Sequence, residues 1–345
     1  MNRHLFDRRR DLGIPTSFLI DESGKIVKVY QGAAPAAAIL ADAAGRQRPA
    51  LVFSGKRYTP APQRNYVEMA TAMAERGFRD EARLLFESAI AAGQTGSELY
   101  NNYAGLLIAG GDLEQGEELL RASLGRNPNQ AESHANLGVL LLRQGRAAAA
   151  RPEIEEAIRL QPDDASLYSA LASACFAMEQ LADAERYYRE AARLAPASGE
   201  FHYNLGAVLA KLERRNEALA AFEQARRLGS DSVELMNQLG VLYMEADRPK
   251  DAQKEFLRAV ETDTTHVGSR INLALYDMKT GDLGAALDCL QKAKALDPKN
   301  PAPYLLGAQI LLEQGKSSAA RALLQELLAI EPDQPEALQL LRGIP

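Results

Sequence analysis

Written in lines of 34 beginning at Gln63, the sequence falls into columns. Column 8 reads Ala70, Ala104, Gly138, Ala172, Gly206, Gly240, Ala274 and Ala308, and column 20 reads Ala82, Gly116, Ala150, Ala184, Ala218, Ala252, Ala286 and Ala320. Column 24 is large and apolar throughout: Phe86, Leu120, Ile154, Tyr188, Phe222, Phe256, Leu290 and Leu324. Eight lines follow one another with no insertion. A unit of this length cannot bury its apolar face alone, so the period demands a stack of repeats, each resting on its neighbours.

The columns say what each repeat is. Apolar residues at columns 4, 7, 8 and 11 keep the i, i+3, i+4, i+7 rhythm of one helix face. Small residues at columns 8 and 20 let two helices approach closely, and the bulky column 24 fills the space beside them. Gly77, Gly111, Gly145, Gly281 and Gly315 share column 15, where a left-handed residue ends the first helix. Pro128, Pro162, Pro196, Pro298 and Pro332 share column 32 and stop the second helix. Ser230 and Thr264 replace that proline in lines five and six, which predicts looser turns there. Pro249 falls in the first turn of a second helix, where its missing N–H costs nothing. Pro152 lies about a turn deeper, in "AAAARPEIEEAI", and predicts a delayed or kinked helix in the third repeat.

On these columns residues 63–334 resemble the tetratricopeptide repeat family, and "FHYNLGAVLAKLERRNEALAAFEQARRL" (201–228) is close to its consensus. The resemblance implies an all-α, right-handed superhelical solenoid of helix–turn–helix units, with the first helix of each pair lining an inner groove. The tail 335–345, "PEALQLLRGIP", reads as a short helix capping the last repeat. The implied function is a non-catalytic scaffold that holds an extended peptide or partner helix.

Column 6, expected to face the groove, carries primary amides in five lines: Asn102, Asn136, Asn204, Gln238 and Asn272. An amide offers both a donor and an acceptor, so such a row can pair with a peptide backbone whatever its side chains. A similar asparagine ladder runs through O-linked N-acetylglucosamine transferases, although asparagine is also ordinary at this column of the family. The carboxylate-gripping co-chaperones of the family use Lys at column 5 with Asn at column 9. Neither pattern is present here, which argues against a chaperone-tail clamp. Arg143, Lys211 and Lys279 recur at column 13 in every second repeat, as a thin basic edge or as solvated helix ends.

Other chemistry finds little support. The net charge of −6 disfavours nucleic acid, which needs clustered cations, and Arg8–Arg9–Arg10 is the one basic run. Cys175 and Cys289 form no Cys-x-x-Cys pair, and both sit where small buried side chains are expected. His4, His134, His202 and His266 have no metal-ligand spacing, and no cofactor is implied. No apolar run reaches the length of a membrane span, and nothing in "MNRHLFDRRRDLG" resembles a secretory signal.

The first 45 residues are different. Residues 17–21 and 26–31 have strand composition, "DESGK" between them is a turn, and "PAAAILADAA" reads as a helix. From Gly13-Ile14-Pro15-Thr16 through "SFLIDESGKIV" this stretch resembles the C-terminal half of thioredoxin-like proteins of the periplasmic and membrane-anchored reductase branch. The resemblance implies a structural cis-proline at Pro15, facing a Cys-x-x-Cys pair that would lie upstream of Met1. Two accounts fit. Either the coding frame begins earlier and this chain is the repeat part of a truncated thiol-disulfide oxidoreductase, or the half-domain docks on the first repeat. The first account implies an exported or periplasmic bacterial protein; with Met1 as the true start, the expectation is cytoplasmic. Residues 46–62, "RQRPALVFSGKRYTPAP", read as an extended linker with Leu51, Val52 and Phe53 resting on the first repeat. A third account, the recognition arm of a glycosyltransferase, would need a separate catalytic chain.

Overall fold

The computed structural model describes residues 16–20, 26–31 and 66–344. Strands β1 (Thr16–Ile20) and β2 (Ile26–Gln31) pair antiparallel, with a register shift between Leu19 and Ile20. Pro15, the linker 46–62 and the helix read at 35–44 lie outside the described residues, so the half-domain reading gains nothing beyond those two strands.

Everything described from Tyr66 onward is helical, and seventeen α-helices occur among these residues. The first helices of the eight pairs are α1 (Tyr66–Glu75), α3 (Ser97–Ala109), α5 (Ala131–Arg143), α7 (Ala165–Ala177), α9 (Gly199–Lys211), α11 (Val233–Glu245), α13 (Val267–Thr280) and α15 (Ala302–Glu313). Their partners are α2 (Arg79–Ala91), α4 (Leu113–Arg126), α6 (Ala147–Leu160), α8 (Leu181–Leu194), α10 (Arg215–Arg227), α12 (Pro249–Thr262), α14 (Leu283–Leu296) and α16 (Ser317–Ile330), and α17 (Pro335–Gly343) closes the series. All eight second helices begin at column 17, so the 34-residue phase never slips. Helix α6 is no exception. It starts at Ala147 and runs through Pro152, so the expected delay does not occur. The carbonyl left without a donor belongs to Ala148, an exposed residue that water can reach.

The turns inside the pairs share one conformation. At column 15 Gly77, Gly111, Gly145, Gly281 and Gly315 are left-handed, with φ between 71° and 92°. Glu179 (φ 59°), Glu213 (φ 59°) and Asp247 (φ 56°) take the same conformation although they carry side chains. Packing of the flanking helices therefore overrides local preference in repeats four to six. Replacing Glu213 by Gly is expected to stabilise the protein by about 0.5–1 kcal/mol, relief of the left-handed penalty outweighing the added chain entropy. A rise in Tm checks this, and a fall would mean that the Glu213 side chain makes a compensating contact. The turns between pairs are also tight where proline is missing. Gly229 is left-handed (φ 93°), and the Ser230 N–H donates to the Ala225 carbonyl at 3.1 Å, closing the end of α10. At Thr264 the preceding Asp263 N–H donates to the Ala259 carbonyl at 3.1 Å, as Asn127 and Asp297 do to theirs.

The chain forms two compact units that divide between Leu140 and Leu141, within α5. In the first, Ala70, Ala82 and Ala89 are fully buried around Phe86, whose ring stacks on Tyr103 at 5.3 Å. In the second, Phe222 and Phe256 anchor a continuous core with Leu205, Leu209 and Leu239. Column 8 shows why that core needs small residues. A Cβ on Gly206 would lie 2.8 Å from the Phe222 ring, and one on Gly240 would fall inside the Phe256 ring's van der Waals surface. Helix α17 covers the end of this unit, burying Ala337 against Tyr304, Leu324 and Leu327.

One core position breaks the pattern. Column 11 holds Met73, Leu107, Leu141, Cys175, Leu209, Tyr243 and Leu311, but Asp277 in the seventh repeat. Asp277 is buried, and desolvation together with the nearby charge of Asp282 raises its carboxyl above the usual range. A raised value means that the fold favours the protonated form. The stability contributed by that proton is complete below the unfolded carboxyl's value and is lost as pH rises through the folded one. Asp277→Leu is therefore expected to stabilise the unit by about 1–3 kcal/mol at neutral pH, the cost of a poorly compensated buried polar group. The gain should shrink toward about pH 4, where the free carboxyl protonates. Urea denaturation at both pH values checks this; an equal gain at each would exclude an ionisation cost.

Candidate functional site

The first helices present the candidate site, and it takes a different form in each unit. In the first unit Asn102 and Asn136 are half-buried, not open. Thr71 Oγ1 donates to the Val67 carbonyl (2.9 Å) and accepts from Asn102 Nδ2 (3.1 Å). Asn102 Oδ1 then accepts from Asn101 Nδ2 at 3.3 Å. Asn101 Oδ1 in turn accepts from Asn136 Nδ2 (3.0 Å) and from the Ser133 hydroxyl (3.1 Å). Ser133 also meets Ser123 Oγ at 2.8 Å, so a buried polar pin ties α3, α4 and α5 together.

The second unit repeats this arrangement 136 residues later. Asn237 is buried on α11, where its Nδ2 donates to the Val233 carbonyl (3.0 Å) and to Ser269 Oγ (2.8 Å). Its Oδ1 accepts from Asn272 Nδ2 on α13 at 3.1 Å. Ser269 is held by His266, the N-cap of α13, whose Nδ1 accepts from the Ser269 N–H at 3.0 Å and lies 2.7 Å from its hydroxyl. Three of the five column-6 amides are thus engaged between repeats. Asn204, half-buried, and Gln238, exposed, have no side-chain hydrogen bond among the described residues.

Beside these amides lies column 9. Val241 on α11 is 40% exposed and Leu275 on α13 is 44% exposed, and Ala207 on α9 is half-buried in the same row. Val139 in the first unit is 38% exposed at the same column, and Leu296 and Ile330 form a second exposed pair at column 30 of the last two second helices. Of the three column-13 cations, all exposed, Lys211 lies 3.7 Å from Glu179 and over the Phe176 ring at 5.0 Å. Several other arginines lie on second helices in i,i+3 or i,i+4 pairs, such as Arg159–Glu156 and Arg193–Glu190. Such pairs stabilise solvated faces modestly and point to no anion.

The remaining candidates have structural surroundings. His134 Nε2 lies 2.9 Å from the Pro128 carbonyl. Cys175 is buried and Cys289 half-buried, and burial pushes both thiols above their ordinary value, away from reactive thiolate. Among the described residues no group of three His, Cys, Asp or Glu is placed to hold a metal, and no helix is long and apolar enough to cross a membrane.

Asn101, Asn237, Ser133 and Ser269 are the residues that column reading missed. Their signal was present. An Asn at column 5 is followed one line later by Ser at column 3 and Asn at column 6, and only 101/133/136 and 237/269/272 satisfy it.

The geometry of paired helices in strict phase agrees with sequence comparison. Tetratricopeptide repeat models match residues 104–165, 169–232, 203–267 and 277–344. The chain belongs to the tetratricopeptide repeat family. Repeats of this family build protein–protein interaction scaffolds. No curated protein matches the sequence. Among solved structures, the C-terminal part of a repeat-containing protein from Cytophaga hutchinsonii is 14% identical (TM-score 0.57), covering 70% of this chain and 99% of that one. PilW, a type IV pilus biogenesis factor, is 21% identical (TM-score 0.56), covering 61% and 98%. The Cut9–Hcn1 complex of the APC/C is 18% identical (TM-score 0.56), covering 82% of this chain and 57% of that one. At such identities the likeness shows the tetratricopeptide fold alone.

Proposed function

We propose that this tetratricopeptide repeat protein is a non-catalytic scaffold that holds an extended segment of another protein against its first helices. The observation that carries this reading is the exposed row Val241 and Leu275, adjoining the unengaged amides of Asn204 and Gln238 in the second unit. Apolar side chains at that exposure favour a partner, and amides beside them can satisfy its main chain. An array of decapeptides built from Ala, Val, Lys and Glu tests it. Val241→Asp combined with Leu275→Asp is expected to weaken the bound peptides at least tenfold, whereas Leu84→Asp, on the exposed face of α2, leaves binding unchanged. Equal binding by all three proteins would remove this face from the function.

The alternative, the repeat part of a thiol-disulfide oxidoreductase, rests on paired strands β1 and β2 and on the resemblance around Pro15. Cys175 and Cys289 do not supply its thiols, since they belong to the repeat core. Sequencing the DNA before the Met1 codon tests this: an open frame through a Cys-x-x-Cys codon pair supports it, and an in-frame stop removes it.

A further inference from the structure

The pin beneath Asn272 has a consequence for whatever binds there. A carboxamide can ordinarily turn over and present either edge to a ligand. Asn237 cannot. Its Nδ2 faces the Val233 carbonyl, which only accepts, at 3.0 Å. The same Nδ2 faces Ser269 Oγ at 2.8 Å, and the hydroxyl proton of Ser269 is directed to His266 Nδ1. That nitrogen must be bare, because it also accepts the Ser269 N–H. Asn237 therefore presents Oδ1 to α13, and only a donor can approach it. Asn272 meets that demand with Nδ2 at 3.1 Å, and turning it over would set oxygen against oxygen. Oδ1 of Asn272 is left without a partner among the described residues, on a half-buried side chain beside exposed Leu275 and Gln238.

We infer that Asn272 is the residue that sets the register of the bound segment, by offering a locked acceptor to one backbone N–H of an extended chain. The inference rests on the peptide-binding reading above. Asn204 and Gln238 have no such lock and adapt to either backbone group. In an extended chain successive N–H groups face opposite sides, so one fixed acceptor decides which set of alternate residues faces the protein. Asn237, which does not touch the ligand, acts as a positioning residue.

The test uses the decapeptide array in matched sets, each with one backbone amide at a time replaced by an ester, which removes a single N–H. On the wild-type protein one ester position is expected to weaken binding about tenfold, or about 1.4 kcal/mol. With Asn272→Ala, or with Asn237→Leu, that position-specific loss is expected to vanish while the other positions respond as before. Leu is tolerable at 237 because column 5 already holds Val67, Ile271 and Leu305; Asn272→Ala leaves Asn237 Oδ1 without its donor, and Asn237→Leu removes that oxygen, so the two variants check each other. An equal penalty at that position in all three proteins overturns the role of Asn272 and leaves the scaffold reading standing. Failure of every peptide to bind the wild-type protein overturns the scaffold reading and this inference with it.

Discussion

Arg226→Ala is expected to destabilise the second unit by about 3–5 kcal/mol, because it strands a charge that the fold has taken out of water. Glu255 on α12 is 5% exposed, and Arg226 on α10 of the preceding repeat reaches it through a close Nη1–Oε1 contact. The pair is poorly supported. Among the described residues Arg226 Nε and Nη2 and Glu255 Oε2 are buried without a hydrogen-bond partner, and Arg258 lies 3.7 Å from Oε2. An ion pair that leaves three polar atoms uncompensated contributes little net stability, yet either half alone is worse than both. The columns name the replacement. Column 23 holds Leu85, Leu119 and Leu323, and column 28 holds Ile90, Leu124, Ile158, Val260 and Leu328. Arg226→Leu together with Glu255→Leu is thus expected to match or exceed wild-type stability, whereas each single change lowers it. Urea denaturation of the four proteins checks this. A double variant as unstable as the worse single one would mean that the pair is net stabilising here.

That pair also marks how far the sequence could be read. The helices, their phase and the turns inside each pair were legible because each rests on a column, and eight copies average away local exceptions. Column 15 illustrates it: five glycines predict the left-handed turn, and Glu179, Glu213 and Asp247 then adopt it against their own preference. What columns hide is coupling between them. The amides of column 6 read as a peptide-facing row because each was compared with its counterparts, whereas Asn136 and Asn272 bond to column 5 of the preceding repeat and Asn102 bonds to Thr71 at column 9. Arg226 and Glu255 were equally invisible, since a charge on a second helix is usually solvated, whereas Glu255 is buried. Pro152 shows the limit of a local rule. It allowed a delayed or a kinked helix, and the start at Ala147 removes the delay.

The second large effect concerns a close approach inside a repeat. Phe256→Ala is expected to cost about 3–5 kcal/mol, since its ring is 2% exposed and its removal leaves a cavity that backbone-close α11 cannot fill. Gly240→Ala attacks the same contact from the other side. Its Cβ would overlap the ring at Cε1, Cδ1 and Cζ, and a ring held by Tyr276 at 6.3 Å has little room to yield. Overpacking of this kind costs about 1–3 kcal/mol. The two changes share one space, so they should not add. Gly240→Ala with Phe256→Leu reproduces the Ala274–Leu290 and Ala308–Leu324 combinations of the next two repeats. It is expected to recover most of the loss caused by Gly240→Ala, giving a coupling of about 0.5–3 kcal/mol in a double-mutant cycle. Simple additivity in that cycle would show that the ring escapes the new methyl by moving, and that column 8 is small for a reason other than this contact.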